Sequence, residues 1–114
     1  MESSTYGLPL VEIEPRRLAE RLAGDDPPHL IDVREVFEWR IAHIEGAENL
    51  PLSEILGWWR ELDRDAELVV HCHHGMRSAA VCRALTVEGF RLVVNLRGGI
   101  EAWRQEVEPD MPAY

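Results

Sequence analysis

Short apolar runs alternate along this chain with segments in which apolar residues recur every three or four positions. A short β-branched run is typical of a buried strand, whereas helical spacing is typical of a helix packed on a sheet. The runs predict strands at residues 11–13, 29–33, 48–50, 68–70 and 93–96. The intervening segments predict helices at residues 15–23, 35–41, 53–62, 77–88 and 100–105. This alternation predicts an α/β fold with a central, mostly parallel sheet of about five strands and helices on both faces.

The length and composition limit the chain to one folded unit. With 114 residues and 46% hydrophobic content, it can bury one core and is too short for two domains. We expect a domain at residues 10–105, an N-terminal tail at 1–9 and a C-terminal tail at 106–114. The first residues lack the basic and apolar regions of a signal peptide, and no run approaches the roughly 18 apolar residues of a membrane span. We therefore expect a cytoplasmic protein with reduced cysteines.

The charge argues against two classes of partner. The formal net charge is −9 at pH 7, whereas nucleic acids and anionic membranes attract basic patches. We therefore expect no nucleic-acid and no membrane partner. The same charge repels small anions, so a site for one needs local positive charge, for which Arg77 and Arg34 are the candidates. Arg97 and Arg104 are expected to be solvated surface arginines.

The segment HCHHGMRS, residues 71–78, carries the candidate chemistry. It follows the predicted strand at 68–70 and precedes the predicted helix, so Cys72 lies at a strand-to-helix turn. The unpaired N–H groups and the dipole of a helix N-terminus stabilise an anion, and Arg77 adds a permanent cation. Both effects favour the thiolate, which predicts that Cys72 is a nucleophile.

Four residues separate Cys72 from Arg77. Here the chain resembles the rhodanese family of sulfurtransferases, whose single-domain members have active-site loops of the form C-x-x-G-x-R-[ST], and CHHGMRS fits this pattern. Protein tyrosine phosphatases and the related cell-cycle phosphatases use C-x5-R, one residue longer, which makes a wider cradle for a phosphoryl group. The shorter loop favours a sulfane sulfur.

Three further stretches extend the resemblance from about residue 10 to 103. LIDVRE at 30–35 resembles the family's strand followed by Asp-x-Arg-Glu, and HIEGAENLPL at 43–52 resembles its H-I-P-G-A-x-N-x-P motif. VVNLRGGIEAW at 93–103 resembles the family's closing signature. Glu45 stands where a proline is usual and Leu96 where a tyrosine is usual, and neither departure touches the cysteine loop.

The resemblance implies a rhodanese-like fold and a two-step transfer of sulfur. Cys72 would take the outer sulfur of a small anionic donor such as thiosulfate, forming a persulfide, and a thiophilic acceptor would remove it: cyanide in assays, a thiol or a sulfur-relay protein in cells. Gly75 would let the loop curl so that its amides point inward. No metal and no organic cofactor is required. The remaining substrate-binding residues would be His73, His74, Met76, Arg77 and Ser78.

Asp32 and Arg34 are expected beside this loop, at the rim or as its support. In parallel sheets, ligands bind beyond the carboxyl ends of the strands, and Arg34 follows one such end. Asp32 is expected to be a buried carboxylate that accepts hydrogen bonds at the base of the loop, because a buried acid must be paired. His71 is expected to be a half-buried packing residue, and His43 to bond the backbone of its turn.

Several residues leave alternatives open. His71, His73 and His74 could be read as a zinc or copper site, but ligands so close in sequence diverge on a curved loop. Cys82 could resolve an oxidised Cys72, although its apolar surroundings favour core packing. Adjacent tryptophans on a helix cannot both face one core, so one of the pair at 58–59 could face a partner.

Two other classes of function remain as alternatives to a sulfurtransferase. The first is a rhodanese-like binding or sulfur-carrier module without turnover, which a persulfide on Cys72 would distinguish. The second is a phosphatase or arsenate reductase, which the short loop disfavours and an assay with a phosphate ester would decide.

Overall fold

A five-stranded sheet forms the centre of the molecule. The computed structural model describes residues 9–114. Every neighbouring pair of strands is parallel, in the order β1-β5-β4-β2-β3, which confirms the predicted sheet. The strands are β1 (Glu12–Ile13), β2 (His29–Asp32), β3 (Glu48–Asn49), β4 (Glu67–His71) and β5 (Leu92–Leu96).

Within residues 9–114, four α-helices connect the strands and a fifth follows β5. They are α1 (Pro15–Leu22), α2 (Val36–Ile41), α3 (Ile55–Trp58), α4 (Met76–Val87) and α5 (Gly99–Glu106). Pro15 opens α1 as predicted, since a first-turn position needs no N–H donor. Glu35 and Glu38 form a capping box at the start of α2.

The predicted helix at 53–62 is wrong as one continuous element. The structure divides it into 3-10 turns at Leu52–Glu54 and Trp59–Glu61 around the four-residue α3. Gly57 lowers the helix propensity of this segment. The indole N–H of Trp58 donates to Pro51 O over 2.9 Å, which holds the segment against the strand end and buries this tryptophan.

Two apolar clusters cover the two faces of the sheet, as predicted. Alternate residues of β4 point to opposite faces, so Leu68 and Val70 belong to one cluster and Val69 to the other. α3 and α4 contribute to the first cluster, and α1 and α5 to the second. β4 is therefore covered on both sides, and its carboxyl end opens at one edge of the sheet.

The two terminal segments can be compared with the predicted domain boundaries at residues 10 and 105. The expected N-terminal tail lies outside the described residues apart from Pro9. In the expected C-terminal tail, Val107 and Met111 pack against the second apolar cluster, and Tyr114 reaches the cysteine loop. The boundaries at 10 and 105 stay a prediction. Within residues 9–114, no helix combines the length and the apolar character needed to cross a membrane.

Candidate active site

Cys72 lies directly after β4, at the carboxyl end of the central strand. Cys72 is 1% exposed, and two backbone N–H groups and the Ser78 hydroxyl oxygen surround its sulfur. Gly75 N lies 3.1 Å from Cys72 Sγ, and the backbone N and side-chain Oγ of Ser78 each lie 3.4 Å from it. Gly75 has φ +105° just before α4, a conformation that glycine tolerates best. The loop therefore curls around the sulfur and directs its donors inward.

The start of α5 holds the same loop from its other side. Ile100 N donates to Cys72 O over 2.9 Å, and Glu101 N donates to His73 O over 3.1 Å. Gly99 makes this approach possible, because a Cβ there would collide with His73 O and stand 2.6 Å from Cys72 O. The carbonyl groups of the loop are thus occupied by a helix N-terminus, which leaves its amides free to face the thiol.

Ser78 links the thiol to a chain of hydrogen bonds that reaches β1. Its Oγ donates to Asn95 Oδ1 over 2.5 Å. Asn95 Nδ2 donates to Gly75 O over 3.2 Å and to Glu12 Oε2 over 3.1 Å. Because both of these partners only accept hydrogen bonds, the amide orientation is fixed with Oδ1 toward Ser78. Asn95 therefore positions two of the residues that surround Cys72.

Arg77 points from the first turn of α4 to Glu38 on α2. The two side chains form a bidentate pair, with Nη1 to Oε1 at 2.8 Å and Nη2 to Oε2 at 2.9 Å. The guanidinium holds the pKa of Glu38 at about 2, well below its ordinary value, and Glu38 in turn raises the pKa of Arg77. The cation expected for an anionic donor is thus already bound to a carboxylate.

Asp32 and Arg34 form a buried ion pair close to the loop. Arg34 Nε and Nη2 donate to Asp32 Oδ2 at 3.1 Å and 2.8 Å, and both side chains have 0% exposure. The prediction of Arg34 as a cation at the rim is therefore wrong. A fully buried arginine needs a carboxylate partner, and Asp32 on β2 turns it inward. That this pair supports the loop stays a prediction.

His71 lies beside this pair and is fully buried, so the expectation of a half-buried residue is wrong. Both faces of β4 are covered, which leaves no path to solvent. Its Nε2 lies 3.6 Å from Asp32 Oδ2 and has no hydrogen-bond partner within the described residues. Burial lowers the pKa of His71, which keeps the ring neutral at pH 7.

The mouth of the loop is lined by aromatic rings. His73 stacks on His74 and on Tyr114, with both pairs of ring centroids 4.0 Å apart. Burial, followed by the proximity of His74, lowers the pKa of His73. Met76 is 83% exposed at the start of α4. Within residues 9–114, no three His, Cys, Asp or Glu side chains form a group that could hold a metal ion.

The remaining candidate residues have structural surroundings. Cys82 packs in the first apolar cluster, which confirms the packing interpretation, and burial raises the pKa of its thiol to about 12. His43 Nδ1 donates to Trp39 O over 3.1 Å, as expected for a residue that bonds its turn. Trp59 is partly buried, with the Arg60 guanidinium 5.2 Å from its ring centroid.

Four residues of the site were not identified from sequence: Glu38, Asn95, Gly99 and Tyr114. The glycine doublet at 98–99 carried a usable signal, because a doublet directly after a strand marks a close backbone approach. Asn95, a polar residue inside an apolar strand, carried a weaker one. Nothing in the sequence pattern indicated that Glu38 meets Arg77 or that Tyr114 reaches His73.

Comparison with known proteins gives a consistent family. A family model described as "Rhodanese-like domain" matches residues 14–106. A protein of Allochromatium vinosum named "Sulfurtransferase" is 36% identical over 98 residues, which cover 86% of this chain and 92% of that protein. The crystal structure of a rhodanese-related protein from Thermoplasma volcanium superposes with a TM-score of 0.77 at 35% identity, over 87% of this chain and 95% of that one.

A longer relative contains a similar segment. The Mycobacterium tuberculosis protein named "Probable adenylyltransferase/sulfurtransferase MoeZ" is 40% identical over 104 residues. The match covers 90% of this chain and 26% of that protein, so this chain spans about a quarter of the relative's length. The similarity therefore concerns one segment of a larger protein.

Proposed function

The chain belongs to the rhodanese-like family, and from that premise we propose that it is a sulfurtransferase acting through a persulfide on Cys72. The observation that carries the proposal is the pair of backbone N–H donors directed at Cys72 Sγ. Such donors stabilise a thiolate and the persulfide anion that replaces it. The name "Sulfurtransferase" of the Allochromatium vinosum relative supports the same reaction class.

The first half-reaction loads the enzyme. The Cys72 thiolate attacks the outer sulfur of a donor such as thiosulfate, forming a new S–S bond at Sγ. The bond between the outer sulfur and the sulfite sulfur breaks, and sulfite leaves with the electron pair. The N–H groups of Gly75 and Ser78 stabilise the negative charge that stays on the loaded sulfur, and Asn95 holds the Ser78 side chain beside them. The roles of these residues, like the role of Cys72, are part of the proposal.

The second half-reaction removes the outer sulfur from the Cys72 persulfide. A thiophilic acceptor forms a bond to the outer sulfur, the bond between that sulfur and Sγ breaks, and the electron pair returns to Cys72 as a thiolate. Cyanide serves as the acceptor in an assay and is converted to thiocyanate. In cells we propose a thiol acceptor, either a small thiol or a cysteine of a sulfur-relay protein, which the protein named "Putative sulfur carrier protein YrkF" among the relatives supports.

Two cysteine variants test the proposal. Thiocyanate formation from thiosulfate and cyanide should be measured for the unmodified protein, Cys72→Ser and Cys82→Ser. We expect turnover to fall to background in Cys72→Ser, since serine keeps the size of the side chain but offers no thiolate, and to persist in Cys82→Ser. Comparable turnover in Cys72→Ser, or its selective loss in folded Cys82→Ser, would contradict the assignment of Cys72.

A further inference from the structure

The two arginines expected to bind an anionic donor at the Cys72 loop both have carboxylate partners. Both terminal nitrogens of Arg77 are bound to Glu38, and Arg34 is fully buried against Asp32. His73 is neutral at pH 7, because burial and the neighbouring His74 lower its pKa. The chain as a whole has a formal net charge of −9. Neither arginine therefore offers an uncompensated positive charge to a small dianion that approaches Cys72.

The Glu38 carboxylate is saturated with hydrogen bonds, which fixes it to Arg77. Each of its oxygens accepts two. Oε1 accepts from Arg77 Nη1 and from Glu35 N at 3.1 Å, and Oε2 accepts from Arg77 Nη2 and from the Tyr114 hydroxyl at 2.9 Å. Tyr114 is itself anchored, since Arg34 Nη1 donates to its oxygen over 2.8 Å and its ring stacks on His73.

Displacing Glu38 from Arg77 would carry a large penalty. The Glu38 side chain is only 7% exposed, so the carboxylate could not be rehydrated in place. Breaking a buried ion pair by removing one partner leaves an uncompensated charge in a medium that solvates it poorly. A dianionic donor could bind Arg77 only by displacing Glu38, which would cost this penalty. A donor whose reacting group carries less charge does not need Arg77 at all.

Resting on the proposed function, we propose that Glu38 is a specificity-determining residue of the Cys72 site, which disfavours small dianionic sulfur donors and favours thiol persulfides. It acts by occupying Arg77, and Tyr114 holds it in position. Glu38 thus selects between donors without contacting the reacting sulfur.

The two donor classes differ in charge and in leaving group. With thiosulfate, a trianionic assembly forms as the thiolate meets a dianion, and sulfite leaves as a second dianion. With a thiol persulfide RSSH, the Cys72 thiolate bonds to the outer sulfur and the S–S bond of the donor breaks. RS⁻ then leaves with the electron pair, and the proton stays on the new Cys72 persulfide. The second assembly carries one negative charge at the reacting atoms, so it depends far less on a free guanidinium.

Glu38→Gln tests the selection directly. The variant keeps the shape of the side chain but removes its charge, which releases Arg77 toward the mouth. We expect the ratio of kcat/KM for thiosulfate to kcat/KM for cysteine persulfide to rise about tenfold, in line with one added charge-assisted contact. Glu67→Gln is the matched control, because Glu67 forms a comparable pair with Arg21 at the amino end of β4 and its loss changes the net charge equally. A ratio that is unchanged in Glu38→Gln, or that rises equally in Glu67→Gln, would overturn the proposal.

A second measurement does not depend on sulfur transfer, and its arm on the unmodified protein does not depend on the folding of a variant. The rate of Cys72 alkylation by iodoacetamide is followed with increasing sulfate at constant ionic strength. We expect sulfate not to protect the unmodified protein and to protect folded Glu38→Gln. Protection of the unmodified protein at millimolar sulfate would overturn the proposal by showing that Arg77 is already available to dianions. Absence of any persulfide with either donor would instead refute the proposed function and leave this readout interpretable.

Discussion

Cys72 and Cys82 are equally buried, at 1% exposure each, yet their surroundings have opposite chemistry. Cys72 lies in a loop whose backbone N–H donors converge on its sulfur. Cys82 lies ten residues later on α4, among the apolar side chains of the first cluster. Burial raises the pKa of the Cys82 thiol to about 12, because the apolar side chains around it solvate a thiolate poorly.

We infer from this difference that burial alone does not decide whether a thiol is inert. Polar donors around a buried thiol replace the water that would solvate its thiolate. An apolar cluster excludes water without replacing it, which disfavours the thiolate. The arrangement of donors around Cys72 depends on two glycines with positive φ, Gly75 within the loop and Gly99 beneath it. We expect the donors around Cys72 and the two glycines, and not accessibility, to make the two thiols differ in reactivity.

The largest expected effect is the selectivity of alkylation. At pH 8, a thiol with a pKa of about 12 is ionised in only about one molecule in 10⁴. We expect iodoacetamide to modify Cys72 at least about a hundredfold faster than Cys82, as measured by peptide mass spectrometry over time. Because the two side chains are equally exposed, comparable rates at the two sites would mean that the donors around Cys72 do not activate it.

A smaller effect is expected from Gly99→Ala, which should disturb the loop from below. The added Cβ would collide with the carbonyl groups of His73 and Cys72 at a residue with φ +63°. We expect a loss of about 3 kcal/mol in the free energy of unfolding, measured by urea denaturation, together with slower alkylation of Cys72.

Gly89→Ala is the matched control for this substitution. Gly89 also has a positive φ, +94°, but a Cβ there would meet nothing within 4 Å. It should lose only the about 1–2 kcal/mol of a left-handed residue and leave Cys72 alkylation unchanged. Equal effects of the two substitutions on the alkylation rate of Cys72 would show that close packing beneath the loop does not hold the donors around Cys72.

Arg77→Ala should have the next effect, on the donor rather than on the thiol. Its removal leaves the Glu38 carboxylate unpaired at the mouth, where it repels an anionic donor. We expect kcat/KM for thiosulfate to fall about ten- to a hundredfold, equivalent to about 1.5–3 kcal/mol. Steady-state kinetics with thermal melting as a control for folding would check this, and an unchanged kcat/KM would show that an unpaired Glu38 carboxylate does not repel anionic donors.

The sequence predicted the sheet and most helices, because their apolar periodicities are strong and local. It also identified the cysteine loop, since Cys72, Gly75 and Arg77 lie within six consecutive residues. The wrong prediction of a continuous helix has a cause within the same segment of the chain. The helix at 53–62 breaks because Gly57 and the bond from Trp58 to Pro51 outweigh the periodicity.

What the sequence could not provide is the set of partners that are distant along the chain. Glu38 lies 39 residues from Arg77 and 76 from Tyr114, and no pattern indicates which carboxylate an arginine will meet. For the same reason, Arg34 was expected at the rim, although the nearby Asp32 holds it in the interior. Charge pairing at the site therefore needed the folded structure.

The most direct test of the central claim is the intact mass of the protein after brief treatment with a sulfane-sulfur donor. Thiosulfate and cysteine persulfide should each be tried, followed by peptide mapping and then by cyanide. We predict a mass increase of one sulfur atom, located on the peptide that contains Cys72, absent in Cys72→Ser and removed by cyanide with release of thiocyanate. No adduct with either donor, or an adduct located on Cys82, would contradict the account.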